Sequence, residues 1–232
     1  CYCGHERWVT IPLENGRTLC LLNSATSNYA LASSTRTLDV TTGTPVVSVS
    51  GSGTATITSA LVGTDGLRKS DTGTLVLNAG SGDNNPISYV QNISGGLDIT
   101  AGTVSLASQK IRFGSVTIGN GGTLKSTASW ATGASNPWFN GASVGAITVN
   151  AGGTLTATSS ANGIVEGLTL NGGTVSAPGV SDGNWGAATI GSTVTAGGAT
   201  TSTISAELAV TDVQTFSIGT DSTLNISGVM HN

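Results

Sequence analysis

Apolar and polar residues alternate in short runs along almost the whole chain. Leu75 and Leu77 flank Val76, Val104 and Leu106 flank Ser105, and Leu155 and Ala157 flank Thr156. Val175 and Ala177 flank Ser176 in the same way, and Leu224 and Ile226 flank Asn225. Each of these runs follows a Gly-Thr or Ser-Thr pair. A second set precedes it: Val47/Val49, Leu97/Ile99, Val116/Ile118, Ile147/Val149, Leu168/Leu170 and Phe216/Ile218. A period of two belongs to a strand whose alternate side chains share one face. The apolar members are therefore expected inward and the Thr and Ser members outward. β-Branched residues suit such a pleated surface. Asn120-Gly-Gly, Ala151-Gly-Gly and Asn171-Gly-Gly supply the positive φ that a tight corner needs. No window holds an i, i+3, i+4 apolar stripe, and Gly and Thr oppose a helix.

The Thr that marks the corner falls at Thr18, Thr37, Thr54, Thr74, Thr103, Thr123, Thr154, Thr174, Thr193 and Thr223, with spacings of 19, 17, 20, 29, 20, 31, 20, 19 and 30. Most steps are near 20 and three are about ten longer. Recurrence at roughly 20 to 50 residues is the signature of a solenoid. The expected fold is all-β: a single-stranded parallel β-helix, or solenoid, of about ten coils. Three inserted loops, at 78–96, 127–145 and 196–215, would project from one corner of the stack. An antiparallel sandwich also has many short strands and Gly turns, but it does not explain corners recurring in matching register. Residues 1–23 carry the phrase in weaker form, as Trp8-Val-Thr-Ile11 and Asn15-Gly-Arg-Thr-Leu-Cys-Leu21. They form the first coil or a cap, and 24–232 carry the repeats.

Composition narrows the class. Of 232 residues 34 are Gly, while charged residues reach only 9% and aromatics 4%, against roughly 25% charged in an ordinary soluble domain. A mean hydropathy of +0.17 and a net charge of −4 separate it from disordered chains, which pair low hydrophobicity with high charge. Eight scattered basic residues do not make the patch that nucleic acid demands, so no nucleic-acid partner is expected. No apolar run approaches the ~20 residues of a transmembrane segment, and no signal-peptide pattern is present. The chain opens at Cys1 without Met, so a processed product or a fragment is expected.

The phrase Leu67-Arg-Lys-Ser-Asp-Thr-Gly-Thr-Leu-Val-Leu-Asn78, followed by Gly96-Leu-Asp-Ile-Thr-Ala-Gly-Thr-Val-Ser-Leu106, resembles the autotransporter-associated β-strand repeat. That repeat runs Leu-x-Lys-x-Gly-x-Gly-Thr-Leu-x-Leu, then a polar loop, then a strand ending Ala-Gly-Thr-Leu. The likeness covers about forty residues closely and is partial at 116–125, 147–156 and 168–177. It implies a right-handed β-helix, secreted or surface-exposed, from a bacterial passenger domain or giant surface protein. The motif says nothing of an activity, and no membrane barrel follows it here.

Parallel β-helices also house polysaccharide lyases and hydrolases, whose sites stack carboxylates, often with Lys or Arg, on neighbouring coils. On the expected register Asp98 faces outward with Thr10, Ser48, Thr117, Thr148, Thr169 and Ser217 as its counterparts. Asp39 has Cys20 and Thr56, and Lys125 has Ser105 and Thr156. No acid–base pair lines up on the strands, so no catalytic residue and no cofactor is expected. The loop acids Asp83, Glu166, Asp182 and Glu207 would meet only by folding of the loops.

Cys1-x-Cys3-x-His5, with Cys20 and His231, lacks the Cys-x2-Cys spacing of a structural zinc site, and no metal is expected. The cysteines point instead to an N-terminal disulfide in an oxidising compartment. Inward Leu19 and Leu21 turn Cys20 outward, free to pair with Cys1, with Cys3 or with another subunit. The odd cysteine is left for an intermolecular bridge or, at Cys1, for a lipid. Outward threonines at 117, 148, 169 and 189 resemble the arrays of ice-binding solenoids. Thr is a good outward strand residue in any case, and long loops are expected to break the regularity such a face needs. Trp130, Trp138 and Phe139, three of ten aromatics, fall in the 127–145 loop, where they would stack on sugars or pack on the body.

Two functions follow from these expectations. A rod of sparse charge tends to associate, and open solenoid ends present unpaired strand edges. This gives a non-catalytic, secreted or cell-surface structural protein that self-associates into a fibre, stalk or surface layer. The alternative is an adhesin, whose loops bind glycans or cell surfaces while the solenoid acts as a spacer.

Overall fold

The computed structural model describes residues 44–58, 60–78, 91–107, 111–126, 144–157, 163–165, 167–176, 188–190, 193–209 and 215–231, together with the strand segments 11–12, 18–21, 28–31 and 37–39. No helix occurs among them, and strand follows strand in parallel ladders. Each coil lays one strand on each of three faces. The first face stacks Thr18–Leu21, Val46–Val49, Leu67–Ser70, the later parts of Gln91–Ile99 and Ile111–Ile118, and Val144–Asn150. It ends with Leu168–Asn171, Val194–Ala196 and Phe216–Ile218. The second face runs from Asn28–Leu31 through Thr54–Ile57, Thr74–Leu77, Gly102–Leu106, Gly122–Ser126, Thr154–Ala157, Thr174–Ser176 and Thr201–Ile204 to Thr223–Ile226. The third holds Ile11–Pro12, Thr37–Asp39, Ala60–Gly63 and the early parts of the two long strands. It finishes as Gly163–Val165, Ala188–Ile190, Leu208–Ala209 and Met230–His231. The chain is a parallel β-solenoid, as its alternation requires.

The core is a set of stacked apolar columns. On the first face Val47, Lys69, Ile99, Ile118, Val149, Leu170 and Ala196 succeed one another inward. On the second, Ala55, Leu75, Val104, Leu124, Leu155, Val175 and Ile204 do so, all 2% exposed or less. The polar exceptions include Lys69, Gln91, Ser126 and Ser202. Gln91 Nε2 donates to the Ile57 carbonyl at 3.0 Å, and the Ser202 hydroxyl accepts from the Gly172 N–H at 2.9 Å. Ser126 Oγ has no hydrogen-bond partner among the described residues.

The expected Gly corners take positive φ, 75° at Gly121, 74° at Gly152 and 83° at Gly172. Another kind of corner joins the third face to the first inside Gln91–Ile99, where the register shifts between Ile93 and Gly96. A Cβ on Gly95 would lie 0.8 Å from the Asp65 carbonyl oxygen, so the coils approach too closely there for any side chain.

The register differs from the expected one in particular places. The threonines that stack on the second face are Thr54, Thr74, Thr103, Thr123, Thr154, Thr174 and Thr203. Thr18 lies on the first face opposite Val46 and Thr37 on the third opposite Ala60. Thr193 precedes the first-face strand Val194–Ala196, and Thr223 pairs with Thr201. The same Thr-apolar start opens strands on every face, so it does not mark one corner. The true steps along the second face are 20, 29, 20, 31, 20 and 29 residues. Short and long coils alternate. The extra length falls each time between the second and third faces, at 79–90, 127–143 and 177–187, outside the described residues. The stretch 196–215, expected as the third loop, instead contains the paired strands Thr201–Ile204 and Leu208–Ala209. Asp39 faces Pro12 and Val62 rather than Cys20 and Thr56.

Candidate functional site

Alternation from Leu67 carries Lys69 to the inside, into a column that is aliphatic in its other described members. The side chain is fully buried, and such a cation persists only with compensating acceptors. Lys69 Nζ donates to the carbonyls of Ser70 and Asp71, both at 2.6 Å, and of Ala101 at 3.3 Å. Its three protons thus tie its own corner to the corner of the next coil. Burial pushes the ammonium down from 10.5 to about 8, and the Asp71 carboxylate pulls it partly back. Asp71 holds φ at 63° and accepts a short hydrogen bond from the Ser48 hydroxyl. Thr72 donates to the Gly51 carbonyl at 3.0 Å. These bonds tie the exposed corner at Asp71 and Thr72 to the neighbouring coils.

Next to it, on the outer surface, Arg68 Nε sits 2.8 Å from Asp98 Oδ2. The two face each other in register on adjacent strands. This overturns the expectation that no acid–base pair lines up. The expected column places Ser48 beside Asp98, whereas Ser48 pairs with Ser70 and the intervening strand carries Arg68. Beyond Asp98 the column continues as Thr117, Thr148, Thr169, Thr195 and Ser217. One exposed Arg–Asp contact is a surface ion pair, worth about 0–1 kcal/mol. No second carboxylate in the column completes an acid/base couple. Lys125 lies between Ser105 and Thr156 as expected.

The described exposed apolar residues gather at one place. Val229 is 63% exposed, Met230 53%, Ile218 45% and Ile226 36%, and all belong to the last coil. Phe216 and Leu224 beside them are only partly covered. Phe216, Ile218, Leu224 and Ile226 were expected to be inward, and their register is inward, but no described strand lies beyond them. Phe216–Ile218, Thr223–Ile226 and Met230–His231 each pair on one side only among the described residues. Alternation along the sequence could not show this, because exposure here depends on whether a further strand covers the coil.

Of the other sequence-based candidates, Cys20 lies in a strand that pairs with Val46–Val49, opposite Ser48. Cys1, Cys3 and the aromatics Trp130, Trp138 and Phe139 lie outside the described residues. Thr189 belongs to the third face, opposite Ile164 and Ala209, so Thr195 takes its expected place beside Thr169. The described residues contain no group of three His, Cys, Asp or Glu placed to hold a metal. Among the described residues no helix is long and apolar enough to cross a membrane. Comparison with protein-family models, with curated proteins and with solved structures finds no significant match.

Proposed function

We propose that this chain is an extracellular structural β-solenoid, a non-catalytic bacterial surface protein that self-associates into a fibre, stalk or layer. The observation that carries this reading is the in-line parallel stack of coils, an architecture that grows by adding strands along its axis. A strand edge is a template for another strand, whichever chain supplies it. Sparse charge removes the repulsion that keeps rods apart. Negative-stain microscopy and size-exclusion chromatography test it: elongated assemblies support it, and a monodisperse single rod at all concentrations overturns it.

The adhesin reading has its own support. Long segments recur every second coil at the same corner, which spaces them by ~9.6 Å along the rod. The stretches 79–90, 127–143 and 177–187 contain Tyr89, Trp130, Trp138, Phe139 and Trp185 and no Lys or Arg. Rings among polar residues, with Asp83 and Asp182 the acids in these stretches, suit sugars. A glycan array separates the readings: binding lost on replacing Trp130, Trp138 and Phe139 by Ala favours adhesion.

A further inference from the structure

We propose that the second face of the solenoid binds ice. Seven consecutive strands place Thr54, Thr74, Thr103, Thr123, Thr154, Thr174 and Thr203 in one unbroken column. Two residues further along the strands a second column runs Thr56, Val76, Ser105, Lys125, Thr156 and Ser176. Parallel strands are ~4.8 Å apart and rise ~3.3 Å per residue. The threonine hydroxyls therefore repeat every ~4.8 Å, and ~6.6 Å away the second column adds those of Thr56, Thr156 and Ser176. These spacings are of the same order as the oxygen repeats on an ice face. Val76 and Lys125 carry no hydroxyl, and Ser105 is buried. In sequence, the long segments follow both columns.

The uniformity is longest in this column, seven threonines against the four of Thr117, Thr148, Thr169 and Thr195 on the first face. Outward positions of the first face vary from Val46 and Arg68 to Asp98 before reaching threonine. A merely strand-favouring position would vary in the same way. The threonines are half-buried against one another, and a β-branched side chain so flanked has little χ1 freedom. Each offers a fixed methyl and a fixed hydroxyl.

Charge and ring content select the partner. Lys125 is the one charged residue in the two columns, so a charged lipid, nucleic acid or acidic glycan has no counter-charges to meet. The columns contain no aromatic ring, so a sugar has nothing to stack on. A neutral, two-dimensionally periodic lattice of water satisfies the grid.

The test is thermal hysteresis and ice shaping by the purified chain. The expected result is faceted crystals and a depressed growth temperature. Thr103→Tyr with Thr123→Tyr should reduce both to the buffer baseline while the circular dichroism stays unchanged. Lys125→Thr, which adds a hydroxyl to the second column, should raise the hysteresis, and Thr148→Tyr on the first face should leave it alone. Wild-type protein that neither shapes ice nor shifts its growth temperature overturns the proposal. So does hysteresis that survives the double Tyr replacement.

Discussion

Lys69 is where the solenoid departs furthest from its own rule. Its ammonium fills an aliphatic slot and ties two corners together through three carbonyls. Lys69→Ala removes the stem and leaves those carbonyls without this donor, and a loss of about 2–4 kcal/mol is expected in chemical denaturation. The pH dependence has a definite sign. The folded value of about 8 lies below the ordinary 10.5, so between these pH values the unfolded chain holds the extra proton. Stability should rise with pH across that window. Below it, both states are protonated and the burial cost is fully felt. Lys69→Met should flatten this rise, and a wild-type melting temperature that does not gain on the variant's between pH 8 and 10 would refute the assignment. Ser126 offers the opposite case. Its buried hydroxyl has no partner among the described residues, so Ser126→Ala should be neutral or stabilising by about 1 kcal/mol.

Strands of the first and second faces were legible because one side of each is buried, which writes the alternation into the sequence. The third face was not. Gly163–Val165, Ala188–Ile190 and Met230–His231 are two or three residues long, too short to show a period. Leu67–Ser70 was hard for a different reason: it contains one aliphatic residue, so the Arg68–Asp98 contact stayed hidden although Lys69 lies two positions after an inward Leu. Corners obey two physical rules that substitutions can separate. Gly121 has φ of 75° with open space around it, so Gly121→Ala should cost only backbone strain, about 1–2 kcal/mol. Gly95→Ala would drive a methyl into the Asp65 carbonyl. It should cost more than about 3 kcal/mol, beyond ordinary overpacking. Equal denaturation midpoints for the two variants would contradict the close approach of the coils at Gly95.

At the scale of the whole molecule, stability is a sum over neighbouring coils, and each inner coil is covered on both sides. The last described coil is covered on one side only among the described residues. Further coils of the same chain or a second copy, added in line with the stack, would supply strand pairing and apolar burial there. The most direct measurement is sedimentation velocity over a wide concentration range, comparing the wild-type chain with Ile218→Lys/Val229→Lys. Both positions are already exposed in the single rod, so the fold should tolerate the charges. The account predicts a sedimentation coefficient that rises with concentration for the wild type and stays at the monomer value for the double variant. A wild-type chain that remains monomeric throughout, or a variant that assembles equally well, would contradict it.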